Sequence, residues 1–155
     1  MYTGLRVGIS VAQGIARALT IPALGVGRLE IEAYPHAAHA GPIIAVHRAG
    51  RGELAWATYQ SNPWRELTPP ALSKSEQLAE VIPKGSLITG EIDEALATLL
   101  RNRASIAEAP SYGRARSLAA LAYPRLRAGE TAEPALLRPI YLRPPAIGPQ
   151  KQSGD

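Results

Sequence analysis

Residues 43–60 read Ile-Ile-Ala-Val-His-Arg-Ala-Gly-Arg-Gly-Glu-Leu-Ala-Trp-Ala-Thr-Tyr-Gln. Ile43 to His47 is a short apolar run of strand length. Arg48 to Gly52 is a Gly-containing loop, and Glu53 to Gln60 returns as a second strand. Two strand patterns around so short a connection form a β-hairpin. In the returning strand Leu54, Trp56 and Thr58 face one way and Ala55, Ala57 and Tyr59 the other, because successive side chains alternate.

Working outward, the pattern alternates between strands and helices. A third, edge-like strand is expected over Trp64 to Thr68, stopped by Pro69-Pro70. Ser73 with Glu76 forms a capping-box pair that starts a helix carrying Leu78, Ala79 and Ile82 inward. Ser86 to Thr89 is a strand. Gly90 leads into a helix with Ile92, Ala95, Leu96, Leu99 and Leu100 on one face. Ser105 to Ala107 is a last strand. Arg114 to Arg127 is a helix with Leu118, Ala119, Ala122 and Leu126 inward, and Pro124 should disturb its end. This alternation predicts an α/β fold, a mixed sheet flanked by helices. From Glu133 the chain is Pro-rich, with Ile140-Tyr141-Leu142 as its apolar anchor. Beyond Pro144 a flexible tail is expected.

Toward the N-terminus, Pro35 to Pro42 reads as a linker and the candidate lobe boundary. It divides the chain into residues 1–36 (helix-strand-helix), 37–143 (an α/β lobe) and 144–155. The first part holds a helix over Thr3 to Leu19, ended by Ile21-Pro22. A short buried strand is predicted over Ala23 to Val26, then a second helix over Arg28 to Tyr34. At about 100° per residue, Arg6, Ser10, Gln13 and Arg17 make one narrow polar stripe on the first helix. Surface helices usually show a broader polar face, so this one is expected to be covered on most sides. Gly4, Gly8, Ala12 and Ala16 fall on one i, i+4 row beside Val7, Val11, Ile15 and Leu19. Gly4, Gly8 and Gly14 each cost about 1 kcal/mol of helix propensity relative to Ala. Such a small-residue row permits close helix approach, either inside this chain's core or at a partner.

Composition narrows the function. The 155 residues are 46% hydrophobic with no Phe and no Cys. That excludes a disulfide scaffold, a thiolate metal site and a Cys nucleophile. No run approaches the roughly 18 apolar residues of a membrane span. The net charge is +4, and the cations are scattered without interleaved aromatics that would grip single strands. His36 and His39 stand three apart in the linker, but no third ligand accompanies them. His47 ends a strand. Gly-x-Ser-x-Gly is absent, and Gly25-x-Gly27 lacks a third glycine. Glu91, Asp93 and Glu94 follow Gly90 at a helix start, where the dipole favours carboxylates. No catalytic residue, cofactor or metal is assigned.

The run Tyr2-Thr3-Gly4-Leu5-Arg6-Val7-Gly8 opens a series of matches. It continues with Gln13-Gly14, Ile21-Pro22, Gly25-Val26, Leu29-Glu30 and Ala49-Gly50-Arg51-Gly52-Glu53. Gly90-Glu91, Arg114-Ala115-Arg116-Ser117-Leu118-Ala119 and Pro139-Ile140-Tyr141-Leu142-Arg143 complete it. Taken in order, the chain resembles the TsaB family, the glycoprotease-like, non-catalytic subunits of tRNA threonylcarbamoyladenosine synthesis. The resemblance implies an actin-like ATPase (ribonuclease H-like) fold. It implies a cytoplasmic, non-enzymatic scaffold for a TsaD-type subunit, which transfers threonylcarbamoyl to the adenosine beside the anticodon. A TsaE-type ATPase, tRNA held through the complex and a homodimer are further implied partners. Carried onto this sequence, the partner interface would comprise Thr3, Gly4, Leu5, Gly8, Ile9, Ala12 and Ala16. Two other readings are a stand-alone basic RNA-binding module and a relic metallopeptidase-like enzyme. Two departures from the family pattern stand out. Most of an N-terminal lobe normally precedes the opening motif, so apolar surface is expected to be exposed on Val7, Val11 and Ile15. The acidic residue usual before the Arg/Gly turn is replaced around His47-Arg48.

Overall fold

The computed structural model describes residues 2–108 and 113–143. Its centre is the hairpin. Strand β1 (Ile43–Gly50) runs antiparallel to β2 (Glu53–Gln60). The turn is tighter than the loop expected from the sequence. Gly50, Arg51 and Gly52 all take positive φ (78°, 56° and 73°), a conformation glycine adopts without strain. Strand β3 (Arg65–Ser73) pairs antiparallel with β2, and β4 (Ser86–Gly90) pairs parallel with β1. Strand β5 (Ala104–Ile106) extends the parallel side, giving the mixed order β3-β2-β1-β4-β5.

The helices are α1 (Tyr2–Leu19), α2 (Arg28–Ala33), α3 (Ser75–Val81), α4 (Glu94–Leu100) and α5 (Arg114–Arg127). Alternation along the strands makes two separate cores. On one face Ile44, Val46, Leu54 and Ile88 meet Leu78, Ala79 and Ile82 from the α3 segment and Leu96 and Leu100 of α4. On the other, Ile43, Ala45, Ala57 and Tyr59 meet Leu29 and Ala33 of α2, with Trp64 against them. Each fully buried Ile or Leu contributes about 1.5–3 kcal/mol. The division of β2 between the faces agrees with the alternation read from the sequence.

Helix α5 lies against α2 and is fastened by charge. Arg125 pairs with Glu30, and Arg114 Nε donates to Glu32 Oε2 at 2.8 Å. Trp64 Nε1 also donates to Glu30 Oε1 at 3.1 Å.

Five expectations are corrected. Strand β3 does not stop at Pro69-Pro70. Trp56 pairs with Ala71 and Thr58 with Thr68, so both prolines lie opposite Ala57 in a bulge of an edge strand, where missing N–H groups are tolerated. The capping pair at α3 is shifted by one: Lys74 N donates to Gln77 Oε1 at 3.0 Å, while the Ser73 hydroxyl accepts from Trp56 Nε1 at 3.0 Å. Helix α4 is only two turns long and buries Leu96 and Leu100, leaving Ala95 and Leu99 exposed. In α5 the buried residues are Ser117 and Leu121, and Leu118 is 40% exposed. Arg114, Ser117, Leu121 and Arg125 share one stripe of the helix, so the ion pairs to α2 rotate that stripe inward. Finally, Ala23 to Val26 is not a strand; a single bridge joins Ala23 to Ala132.

Candidate protein–protein interface

Helix α1 ends in a left-handed residue, Thr20 (φ 54°). Ile21 N donates to Ala16 O at 3.0 Å and Thr20 N to Arg17 O at 3.3 Å. These are the two bonds of a Schellman closure, followed by the Pro that prevents continuation.

The surroundings of α1 invert the expected arrangement. Its covered side is Ile9, Gln13 and Ala16, while Arg6, Ser10 and Arg17 of the polar stripe are exposed. Gln13 Nε2 donates to Pro134 O at 2.7 Å and to Leu137 O at 3.1 Å. Arg6 Nε donates to the Tyr141 hydroxyl at 2.9 Å, with its guanidinium carbon 5.4 Å from the ring centroid. The apolar surface points outward. Leu5, Val7, Val11, Ile15 and Leu19 are 48%, 56%, 56%, 53% and 64% exposed. At about 100° per residue the arc from Gly14 round to Leu5 spans roughly 180° without one polar side chain. Exposure of Val7, Val11 and Ile15 agrees with the sequence expectation; coverage on most sides does not.

The residues assigned from the resemblance divide between the two sides. Gly4, Leu5, Gly8 and Ala12 lie on the open arc. Among the described residues no atom lies within 4 Å of where a Cβ on Gly4, Gly8 or Gly14 would stand, so the two glycines of the small-residue row meet nothing there. Ile9 is half-buried and Ala16 only 4% exposed, both on the covered side. Thr3 belongs to the helix, and its side chain lies outside the described residues. A cleft of about 780 Å³ borders the covered side, lined by Gln13, Ala16, Arg17, Ile21, Pro134 and Arg138 among others.

A second place where function could reside is the carboxyl ends of β1 and β4, since open α/β sheets bind ligands there. Gly90 lets the two strands meet: its φ is 110°, and a Cβ would stand 2.0 Å from Val46 O. Beyond it, Glu91 accepts from Arg48 N at 2.8 Å and from Arg28 Nη2 at 2.5 Å. The Arg48 N–H is the main reason the Glu91 carboxyl is held below the usual range, with Arg28 adding to it against a partial burial penalty. Asp93 Oδ1 caps α4 through Leu96 N at 2.8 Å, and its Oδ2 takes Arg48 Nη2 at 2.5 Å. Each carboxylate thus has a structural partner.

The linker histidines also have separate partners. His36 Nε2 is 3.1 Å from Thr89 Oγ1, and His39 Nε2 is 3.2 Å from Gly85 O. Burial is the chief cause lowering the His36 pKa below 6.5. Among the described residues no group of three or more His, Cys, Asp or Glu could hold a metal ion. No helix among them is long and apolar enough to cross a membrane.

Comparison with known proteins places this geometry. Residues 1–95 match the family model described as TsaD, tRNA N6-adenosine threonylcarbamoyltransferase. YeaZ from Pseudomonas aeruginosa is a similar solved structure, at TM-score 0.72 and 25% identity over 90% of this chain and 68% of that one. A second, described as an uncharacterized protein from Pseudomonas aeruginosa with similarity to peptidase YEAZ, gives TM-score 0.73 and 28% identity over 92% and 69%. No curated protein matches the chain. The mixed five-stranded sheet flanked by helices is the actin-like, ribonuclease H-like fold of these YeaZ (TsaB) neighbours. The chain belongs to the TsaD, tRNA N6-adenosine threonylcarbamoyltransferase, family, with YeaZ as its structural likeness.

Proposed function

We propose that this chain is a non-catalytic scaffold subunit in tRNA threonylcarbamoylation, working in the cytoplasm by docking a TsaD-type catalytic subunit on the outer face of α1. The observation that carries the reading is the open half-cylinder of α1. Contiguous apolar surface of this kind marks interaction sites. Glycines on that surface let a facing helix approach closely. The occupied carboxylates at the ends of β1 and β4 support an accessory role over a catalytic one. A TsaE-type ATPase and tRNA would be engaged through the assembled pair, and a homodimer would use the same face. The lobe division at residue 36 accompanies this reading, with α1 on the partner side of the linker.

Co-expression with a TsaD-type subunit, followed by size-exclusion chromatography, tests the proposal. The expected result is co-elution as a discrete complex. Separate elution of two soluble monomers would refute it, and salt-dependent tRNA binding by the lone chain would favour an RNA-binding module instead.

A further inference from the structure

Among its described side chains, helix α1 makes little apolar contact. Of these only Ala16 is buried, with Ile9 and Gln13 half-buried. Its principal neighbour is the Pro134–Leu136 turn. That turn belongs to a strap, residues 131–143, which is itself tied to the rest of the molecule at separate points. Ala132 N donates to Ala23 O at 2.9 Å. A Leu137 methyl lies 3.7 Å from where a Cβ on Gly25 would stand. Arg143 pairs with Glu53 at the start of β2.

The contacts between α1 and the strap are directional. The Gln13 amide reaches two carbonyls three residues apart, Pro134 O and Leu137 O. Both bonds form together over a narrow range of helix rotation. Two turns away, Arg6 grips the Tyr141 hydroxyl and lies over its ring. Between them the pairs fix both rotation and tilt of a helix that hydrophobic packing leaves loosely determined.

We infer that the strap is a positioning device for α1, with Gln13, Arg6 and Tyr141 as positioning residues that set the angle at which the outer face meets its partner. The consequence for binding rests on the proposed docking role of α1; the mechanical role does not. A pre-oriented helix spares the partner the cost of ordering it on association.

The chain has no cysteine, so spin labels can be placed on the full-length protein at Ser10→Cys in α1 and Glu80→Cys in α3. Both sites are exposed. In the otherwise unaltered chain a single narrow distance distribution is expected. Gln13→Glu sets a carboxylate against two carbonyls, and Tyr141→Ala removes the second grip. Each should broaden the distribution while the urea midpoint of the sheet lobe stays put. Each should also weaken TsaD-type partner binding by about tenfold through lost pre-organisation. An unchanged, narrow distribution in both variants overturns the inference. A broadened distribution with unchanged partner affinity overturns the positioning role, provided that Val11→Asp on the outer face abolishes binding. If Val11→Asp binds normally, the docking reading fails, and the label distances still decide what the strap does.

Discussion

Ile44 and Val11 are both β-branched residues on apolar faces of regular elements. Ile44, in the middle of β1, is 0% exposed; Val11, in the middle of α1, is 56% exposed. The sheet closes its apolar surface on both sides with helices of this chain, α3 and α4 on one face and α2 on the other. Helix α1 reaches the strap through Gln13 and Arg6 and turns its apolar half-cylinder outward. Hydrophobic pattern therefore reports that a face is to be covered, and only geometry reports whether the cover is in the same chain.

The largest effect that sharpens this contrast is in the closed region. Leu78 is fully buried, and Leu78→Ala should cost about 2–5 kcal/mol of stability through lost transfer energy and a residual cavity. Urea unfolding measures it; a loss below that of a surface change would mean the first core is not a closed one. Next comes the fastening of α5. Glu30→Gln weakens the pair with Arg125 and should cost about 1–3 kcal/mol, and more rapid amide exchange in α5 than in β1 would accompany it.

Gly8→Leu reverses the direction. The position is open among the described residues, so the isolated protein should gain up to about 1 kcal/mol of stability from better helix propensity. Partner affinity should nevertheless fall, since a bulky side chain blocks close approach. A variant destabilised in isolation would show instead that α1 packs inside this chain. The smallest effect is in the linker. His36 is held below its usual pKa mainly by burial, opposed by the Glu32 charge and assisted by His39. The unfolded chain therefore takes up this proton first as pH falls. The contribution of His36 is full above about pH 6.5 and is lost as pH falls through that value toward the folded pKa. The urea midpoint should drop over that window, and His36→Gln should flatten part of the drop.

Much of the sheet lobe is legible in the sequence because its signals are local. The alternation of Leu54, Trp56 and Thr58 with Ala55, Ala57 and Tyr59 assigns both cores without knowledge of what covers them. Where the reading failed, a distant group decided the outcome. The buried stripe of α5 is chosen by Glu30 and Glu32, more than 80 residues away, so its own apolar periodicity points to the wrong side. The prolines of β3 read as a stop because nothing local announces an edge bulge. The polar stripe of α1 is visible in the sequence, but that Gln13 within it seeks carbonyls at Pro134 and Leu137 is not. The open row of Gly4, Gly8 and Ala12 is legible as a close-approach surface, whereas the exclusion of Ile9 and Ala16 from it requires the strap.

The central claim is that α1 is finished by a partner. Titration of a TsaD-type subunit with the parent chain and with Val11→Asp, each checked by urea unfolding, tests it most directly. Val11→Asp should leave stability within about 0.5 kcal/mol, as for an exposed site, and weaken binding by at least about 2 kcal/mol, about thirtyfold, as for a central interface residue. Equal affinities for the two chains, or unfolding of the variant in isolation, would contradict it.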